Sequence, residues 1–123
     1  MFWILFAVLA ALGAFLRFGL NHFHHSFTSA SPIPLGTLSA NAIGSLLMGG
    51  LYALQMSSKI NMPALVTAVM IAFLGSLTTF SSFAADTLRL LQAGLYVLAA
   101  ANILLNNFIC LSLCYVGFRL VQS

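Results

Sequence analysis

The chain has 123 residues, of which 62% are hydrophobic and 4% are charged, and its formal net charge is +3 at pH 7. About a quarter of the residues of a soluble domain are charged, so this composition excludes such a domain and indicates an integral membrane protein. The few cations form no basic stripe that could bind phosphates, so no nucleic-acid partner is expected. The alternating ten-residue strands of an outer-membrane barrel are missing, and the predicted fold class is therefore all-α.

Four apolar segments follow one another along the chain, each long enough to cross the hydrocarbon core of a bilayer. They cover about residues 2–20, 35–54, 64–90 and 95–120, and turn-forming residues separate them at 31–34, 57–63 and 92–94. We therefore expect one four-helix transmembrane domain over residues 1–123, surrounded by membrane lipid. The first segment lacks the basic start of a signal peptide, and we interpret it as a permanent helix.

Near the end of the first segment lies Arg17, whose long side chain can reach the membrane interface. Its functional interpretation is a positive vestibule that attracts anions. His22, His24 and His25 follow in the expected first loop. Interfacial residues are the favoured interpretation of this cluster, and a metal site is the alternative.

The second segment contains Thr37 and Asn41, four residues apart and therefore on one helix face. The Asn41 amide needs partners inside the hydrocarbon, either in an interhelical hydrogen bond that holds the fold together or at an ion. The segment is also rich in small residues spaced for close helix contact: Gly36, Ala40, Gly44, Ser45 and Gly49.

Residues 75–83, with the sequence GSLTTFSSF, interrupt the third segment near its middle. Glycine, serine and threonine hold a helix poorly, and at membrane depth such a break is tolerated where it lines a cavity or a binding site. A broken helix can also place backbone carbonyls around an ion. Phe80 and Phe83 could turn their positive ring edges toward a partly dehydrated anion, although packing against lipid or a core is the alternative. Asp86 and Arg89, three residues apart, are predicted to form a local ion pair.

In the fourth segment, Asn102, Asn106, Cys110 and Cys114 recur every four residues and form one polar stripe. We interpret the stripe as a track for an ion, with helix–helix contact as the alternative. The two cysteines are predicted to be free thiols, because this helical spacing lies near the limit for a disulfide.

The basic residues favour neither orientation in the membrane. With four spans, Lys59 and Arg119 lie on one side of the membrane and Arg17 and Arg89 on the other. Chance is the alternative explanation of this balance. A chain without bias can insert both ways, and two opposite copies then supply an inverted repeat. Because four helices can hardly enclose a pathway and also shield it from lipid, we expect an antiparallel, dual-topology homodimer.

Three motifs of the chain resemble those of one family, the small bacterial fluoride channels called CrcB or Fluc. GSLTTFSSF at 75–83 resembles the family signature GG-x-TTFSTF. GTLxxNxxG from Gly36 to Gly44 and GxxxR from Gly13 to Arg17 are similar to its second-helix and first-helix motifs. The resemblance covers essentially the whole chain. It implies passive, selective export of fluoride from the cytoplasm across the bacterial inner membrane, through two pores of an antiparallel dimer.

The resemblance also implies roles for individual residues. The expected fluoride pore comprises Phe80, Phe83, Asn41, Ser81, Ser82 and Thr37. The expected polar track comprises Asn102, Asn106, Cys110 and Cys114, and Arg17 is expected in the vestibule. A structural sodium ion at the dimer interface would be held by the backbone carbonyls of Gly75 and Thr78. The chain departs from the family pattern at Ser76 and Ser82, and its two track cysteines stand where serine or threonine is more usual. Since a thiol is a weaker donor than a hydroxyl, that half of the track is the less secure.

Other function classes fit the sequence less well. A small multidrug exporter, the main alternative, needs a carboxylate in its first helix, whereas positions 1–85 contain no acidic residue. An intramembrane enzyme would need a nucleophile with a base or a metal cluster inside the spans, so no enzymatic activity is expected. A purely structural subunit would leave the pattern of phenylalanines and hydroxyls unexplained.

Overall fold

The computed structural model describes residues 1–27, 32–57 and 62–122 and, in those ranges, contains helices and no strand. The elements are α1 (Phe2–Phe27), α2 (Leu35–Met56), α3 (Pro63–Ala68), a π-helical segment (Val69–Leu74), α4 (Gly75–Leu77), α5 (Phe80–Gln92) and α6 (Tyr96–Gln122). Four helical stretches, with Pro63–Gln92 taken as one, are long and apolar enough to cross a membrane. The predicted all-α membrane fold is confirmed. Lys59 lies outside the described residues.

Helix α1 is longer than the sequence suggested. It continues past Leu20 to Phe27, so the three histidines lie on its last turns and their predicted place in a loop was wrong. The physical reason is that residues 21–27 contain no glycine or proline that would end the helix. The His22 ring stacks on Phe18, and His24 Nε2 lies 3.1 Å from the Ser39 hydroxyl. Across the described ranges, no three His, Cys, Asp or Glu side chains are grouped to hold a metal ion.

Small residues bring α2 and α6 into backbone contact. A Cβ added at Gly49 would overlap the carbonyl oxygen of Cys114 and lie 3.0 Å from the backbone nitrogen of Phe118. On the facing helix, a Cβ at Gly117 would overlap the carbonyl oxygen of Leu46. These glycines therefore serve close packing within one chain, as small residues do in membrane helices.

The third span is broken at Thr78 and Thr79, both of which have extended backbones, with φ and ψ of −82° and 151° and of −154° and 117°. The predicted interruption of this span is confirmed. On one side, the Thr78 hydroxyl donates to the Leu74 carbonyl at 2.9 Å. On the other, the Thr79 hydroxyl caps α5 by accepting the Ser82 N–H at 3.1 Å. Side-chain oxygens thus stabilise both helix ends at membrane depth, where water is absent.

Close approach of α2 positions this break. A Cβ at Gly44 would overlap the Thr78 methyl carbon, so the absence of a side chain at Gly44 lets the break lie against α2. Beside it, Ala40, Leu74 and Leu77 form a buried core. The break therefore lies against α2, next to a core that α2 and the third span form together.

Candidate functional site

A cavity of about 310 Å³ opens beside the break, between α2, the third span and α6. Its lining comprises Asn41, Gly44, Ser45, Met48, Thr78, Thr79, Phe80, Phe83, Asn106, Asn107, Cys110 and Cys114. Six of the residues singled out from the sequence as pore or track therefore meet here: Asn41, Phe80, Phe83, Asn106, Cys110 and Cys114. The lining contains no charged side chain and no histidine.

Asn41 replaces hydrogen bonds that the broken helix has lost. Its Oδ1 accepts the Thr79 N–H at 2.8 Å, and its Nδ2 donates to the Thr79 carbonyl at 3.3 Å. Backbone groups buried away from water need such partners, since leaving one unpaired costs about 1–3 kcal/mol. One amide side chain thus holds the extended residue in place.

A chain of hydrogen bonds runs from Asn41 into α6 and back to α5. Asn41 Nδ2 donates to Asn106 Oδ1 at 3.0 Å, and Asn106 Nδ2 donates to Asn102 Oδ1 at 3.0 Å. Asn102 Nδ2 donates to the Thr87 hydroxyl at 2.9 Å, which donates to the Phe83 carbonyl at 2.8 Å. All donors point the same way along this chain, so it fixes the orientation of each amide. The longest of the three bonds at Asn41 is the one to the Thr79 carbonyl.

The track predicted on α6 divides into two parts. Asn106, Cys110 and Cys114 line the cavity, whereas Asn102 is 1% exposed and lies within the hydrogen-bond chain behind it. A hydrogen bond joins Cys110 to the Ser45 side chain, and both cysteines are free thiols. Asn102 therefore supports the lining rather than belonging to it.

The two phenylalanines meet edge to face at the cavity, with ring centroids 5.3 Å apart and ring planes at 62°. Phe83 is 9% exposed, whereas Phe80 is 79% exposed in the single chain. In this arrangement the buried ring orients its neighbour. The exposed ring forms one side of the cavity and leaves a large apolar surface uncovered in the single chain.

The hydroxyl groups beside the break form a second cluster. The Thr79 hydroxyl lies 3.1 Å from Ser81 Oγ and 3.2 Å from Ser82 Oγ. Both serines lie next to the cavity rather than in its lining. They can reorient the Thr79 hydroxyl, which does line it.

Thr37 lies away from the cavity. It is 3% exposed, and its hydroxyl donates to Asp86 Oδ2 at 2.7 Å. The other carboxylate oxygen of Asp86 pairs with Arg89, which confirms the predicted ion pair. Thr37 thus connects α2 to α5, and nothing in the sequence pattern indicated this partner.

Of three further predicted residues, Arg17 and Gly75 lie outside the cavity and Thr78 lines it. Arg17 is half-buried on α1 and lies about 15 Å before the end of that helix. Gly75 is exposed, and a Cβ there would meet nothing closer than the Met70 carbonyl oxygen at 3.8 Å. Thr78 lines the cavity, and its carbonyl belongs to an extended residue.

Several site residues were missed. Ser45 and Met48 line the cavity, and Thr87 ends the hydrogen-bond chain. The sequence indicates Ser45 as a small residue for helix contact, and Met48 lies in an apolar stretch without a motif. Thr87 lies four residues after Phe83, but its amide partner is 15 residues away on the next helix. A local pattern contains no signal for such a contact.

Four membrane-spanning helices, the third of them broken beside a cavity, define a multi-pass helical membrane protein. The sequence pattern of the family described as "CrcB-like protein, Camphor Resistance (CrcB)" matches residues 4–118. The chain belongs to this family and is a multi-pass bacterial membrane protein.

Its relatives include proteins named "Fluoride-specific ion channel FluC". One from Shewanella frigidimarina (strain NCIMB 400) is 43% identical over 120 residues, covering 98% of this chain and 95% of the relative. One from Shewanella sediminis (strain HAW-EB3) is 42% identical and one from Aeromonas salmonicida (strain A449) 39%, each over 121 residues. Both of these alignments cover 98% of this chain and 96% of the relative.

Proposed function

We infer that this chain forms a passive, fluoride-selective channel and is not an enzyme. The observation that carries the proposal is the uncharged cavity at the break, where amide donors, a hydroxyl and phenyl rings converge. Fixed cations would trap a small anion and carboxylates would repel it, whereas neutral donors let it enter and leave. Relatives of similar length named as fluoride-specific channels support the choice of ion.

The donors available to fluoride come from different parts of the fold. Asn41 offers the N–H that otherwise contacts the Thr79 carbonyl at 3.3 Å, and Thr79 offers its hydroxyl. Helix α5 begins at Phe80, so the positive end of its dipole also lies at the cavity. The edges of Phe80 and Phe83 add weak positive potential without a full charge. Together these groups replace part of the water that the anion loses.

The wider pathway uses residues outside the cavity. The Ser81 and Ser82 hydroxyls lie beside it, whereas Asn106, Cys110 and Cys114 of the α6 track form part of its wall. Asn102 and Thr37 contribute by holding their neighbours in position. Arg17 supplies positive potential along the approach. Flow follows the fluoride gradient outward from the cytoplasm, because fluoride enters a cell as the neutral acid and ionises inside.

A second copy of the chain, oriented oppositely, completes the pathway in this proposal. Phe80 is 79% exposed although it borders the cavity, so a single chain leaves the pathway open to lipid on that side. An antiparallel partner would cover the ring and would supply the same groups in a second, parallel pore. The Lys and Arg residues are divided equally between the two sides of the membrane, and this balance permits both orientations.

A structural sodium ion fits the same arrangement. Gly75 begins the three-residue helix α4 and is exposed with open space beside it, and Thr78, which is extended, directly follows that helix. Backbone carbonyl oxygens are suitable ligands for a hard cation, and a bound sodium ion supplies positive charge at an interface between two copies. Its role here is structural.

Fluoride efflux from liposomes is the direct test. Purified protein is reconstituted into liposomes loaded with potassium fluoride or potassium chloride, and efflux is started with valinomycin and read by ion-selective electrodes. We expect rapid loss of fluoride and retention of chloride. The Phe80→Ile variant should lower the fluoride rate by about tenfold, because it removes a ring edge from the pathway and also the edge-to-face contact with Phe83, a kind of contact worth roughly 0.5–1.5 kcal/mol. Phe108→Ile, which alters an exposed ring on α6 outside the cavity, is the matched control. Retention of both anions by folded wild-type protein would refute the proposed channel.

The dimer is tested through its orientation. In sealed inside-out vesicles, a protease site after Gln122 should be cut in about half of the chains, since unbiased insertion places that terminus on both sides. Complete cutting or complete protection would exclude dual topology.

The proposed sodium ion needs a different test, because backbone carbonyls hold it and no side-chain variant removes it. The corresponding test replaces sodium by potassium, and we expect dimers in detergent to dissociate faster; equal dissociation rates would argue against the ion.

A further inference from the structure

We propose that the cavity contains a binding site for a soft monovalent cation, Cu(I) or Ag(I), formed by three sulfur atoms. Met48 of α2 and Cys110 and Cys114 of α6 line the same cavity. Both cysteines are free and half-buried, so their thiols are neither oxidised to each other nor sealed in the core.

The helix geometry places the sulfur ligands together. Cys110 and Cys114 lie one turn apart on one face of α6, which separates their Cβ atoms by about 5–6 Å. Two metal–sulfur bonds of about 2.3 Å each, the length of zinc–thiolate bonds, are long enough to bridge two thiolates across such a gap. Met48 precedes Gly49, whose Cα packs against the backbone at Cys114 and thereby fixes the register of the two helices. Met48 packs against the core of Ala40, Leu74 and Leu77 and lines the cavity from α2, so its thioether is the third sulfur available in the same space.

The ligand set selects the class of ion. Thiolate and thioether sulfurs are soft and prefer Cu(I)-like ions over hard cations such as sodium or magnesium. On binding, each thiol loses its proton to water and forms one metal–sulfur bond, while the thioether donates a lone pair without losing a proton. One monovalent cation and two thiolates leave a net charge of −1 at the site. No electron is transferred.

An ion bound there would stop anions in the proposed pathway, and this consequence rests on the proposed function. The site shares its cavity with Phe80, Phe83 and Asn41, so the ion occupies space beside the anion donors. Its complex also carries a negative charge in a low-dielectric region, where like charges repel strongly. Relatives with hydroxyl residues at these two positions would lack the site.

The test uses silver nitrate in chloride-free buffer and measures binding and flux separately. Silver retained by purified protein after gel filtration is counted against protein, and fluoride efflux is recorded with and without silver. We expect one tightly bound silver ion per chain and loss of most of the efflux. A double variant, Cys110→Ser with Cys114→Ser, should retain no silver after gel filtration. The fluoride efflux of each variant in silver is compared with the efflux of the same variant without silver. Met48→Leu should weaken binding by roughly tenfold, whereas Met56→Leu, at the exposed end of α2, should not.

The outcomes separate the two proposals. Silver binding that depends on both cysteines, in protein that conducts no fluoride, would support the sulfur site and overturn the channel. Fluoride efflux that silver leaves unchanged, with no bound silver, would overturn the sulfur site and support the channel. Equal silver binding by wild type and the double variant would place silver elsewhere and overturn the site.

Discussion

Asn41→Asp is expected to reduce fluoride efflux to that of protein-free liposomes. The carboxylate can still accept the Thr79 N–H, but it has no donor for the Thr79 carbonyl or for Asn106 Oδ1. Two acceptor oxygens then face a negative charge. Placing a charged side chain at membrane depth itself costs about 2.5–3.5 kcal/mol of free energy. An anion approaching the same point is repelled as well. Two unit charges about 4 Å apart repel by about 4 kcal/mol at an effective dielectric constant of about 20, and each 1.4 kcal/mol is about a factor of ten in rate, so we expect at least a hundredfold loss.

The measurement is the efflux assay on variants matched for the added charge. Gln92→Glu introduces the same charge at the exposed end of α5, outside the cavity, and should retain wild-type efflux. Circular dichroism and gel filtration of both variants show whether the helices and the oligomer persist. Wild-type efflux from folded Asn41→Asp would mean that the pathway avoids Asn41.

Gly49→Ala is expected to cause the largest loss of stability of any single methyl addition on α2. The new Cβ would overlap the Cys114 carbonyl oxygen and would lie 2.8 Å from the carbonyl carbon. Both atoms belong to backbone, so no side chain can rotate away and the two helices must separate. Overpacking of this kind typically costs about 1–3 kcal/mol, and here the backbone contact between α2 and α6 is lost in addition.

The adjacent glycine supplies the control. A Cβ at Gly50 would meet its nearest neighbours, the Gly117 carbonyl oxygen and Val121 Cγ2, at 3.6 Å, which is ordinary van der Waals contact. Alanine is also a better helix former than glycine by about 1 kcal/mol, so Gly50→Ala should match or exceed wild-type stability. Thermal unfolding in detergent, followed by loss of the gel-filtration peak, measures both. Equal midpoints for the two variants would contradict the packing of α2 on α6 described above.

The sequence alone predicted the features that depend on neighbouring residues. Long apolar segments predicted four membrane helices, because the bilayer selects for length and hydropathy. The hydroxyl-rich stretch at 75–83 predicted the break, because those residues hold a helix poorly wherever they occur. The Asp86–Arg89 pair followed from helical spacing. The same local patterns supported the resemblance to the family.

Tertiary structure decided which of the polar residues face the cavity. Asn41 and Asn106, 65 residues apart, share a hydrogen bond, and Thr37 finds Asp86 49 residues away. Asn102 lies on the same stripe as Cys110, yet it is buried behind the lining because the Thr87 hydroxyl lies opposite. Met48 became a cavity residue through the contact of Gly49 with α6. Helical spacing gives the face on which a residue lies, but which helix packs on that face depends on contacts between segments distant in the chain.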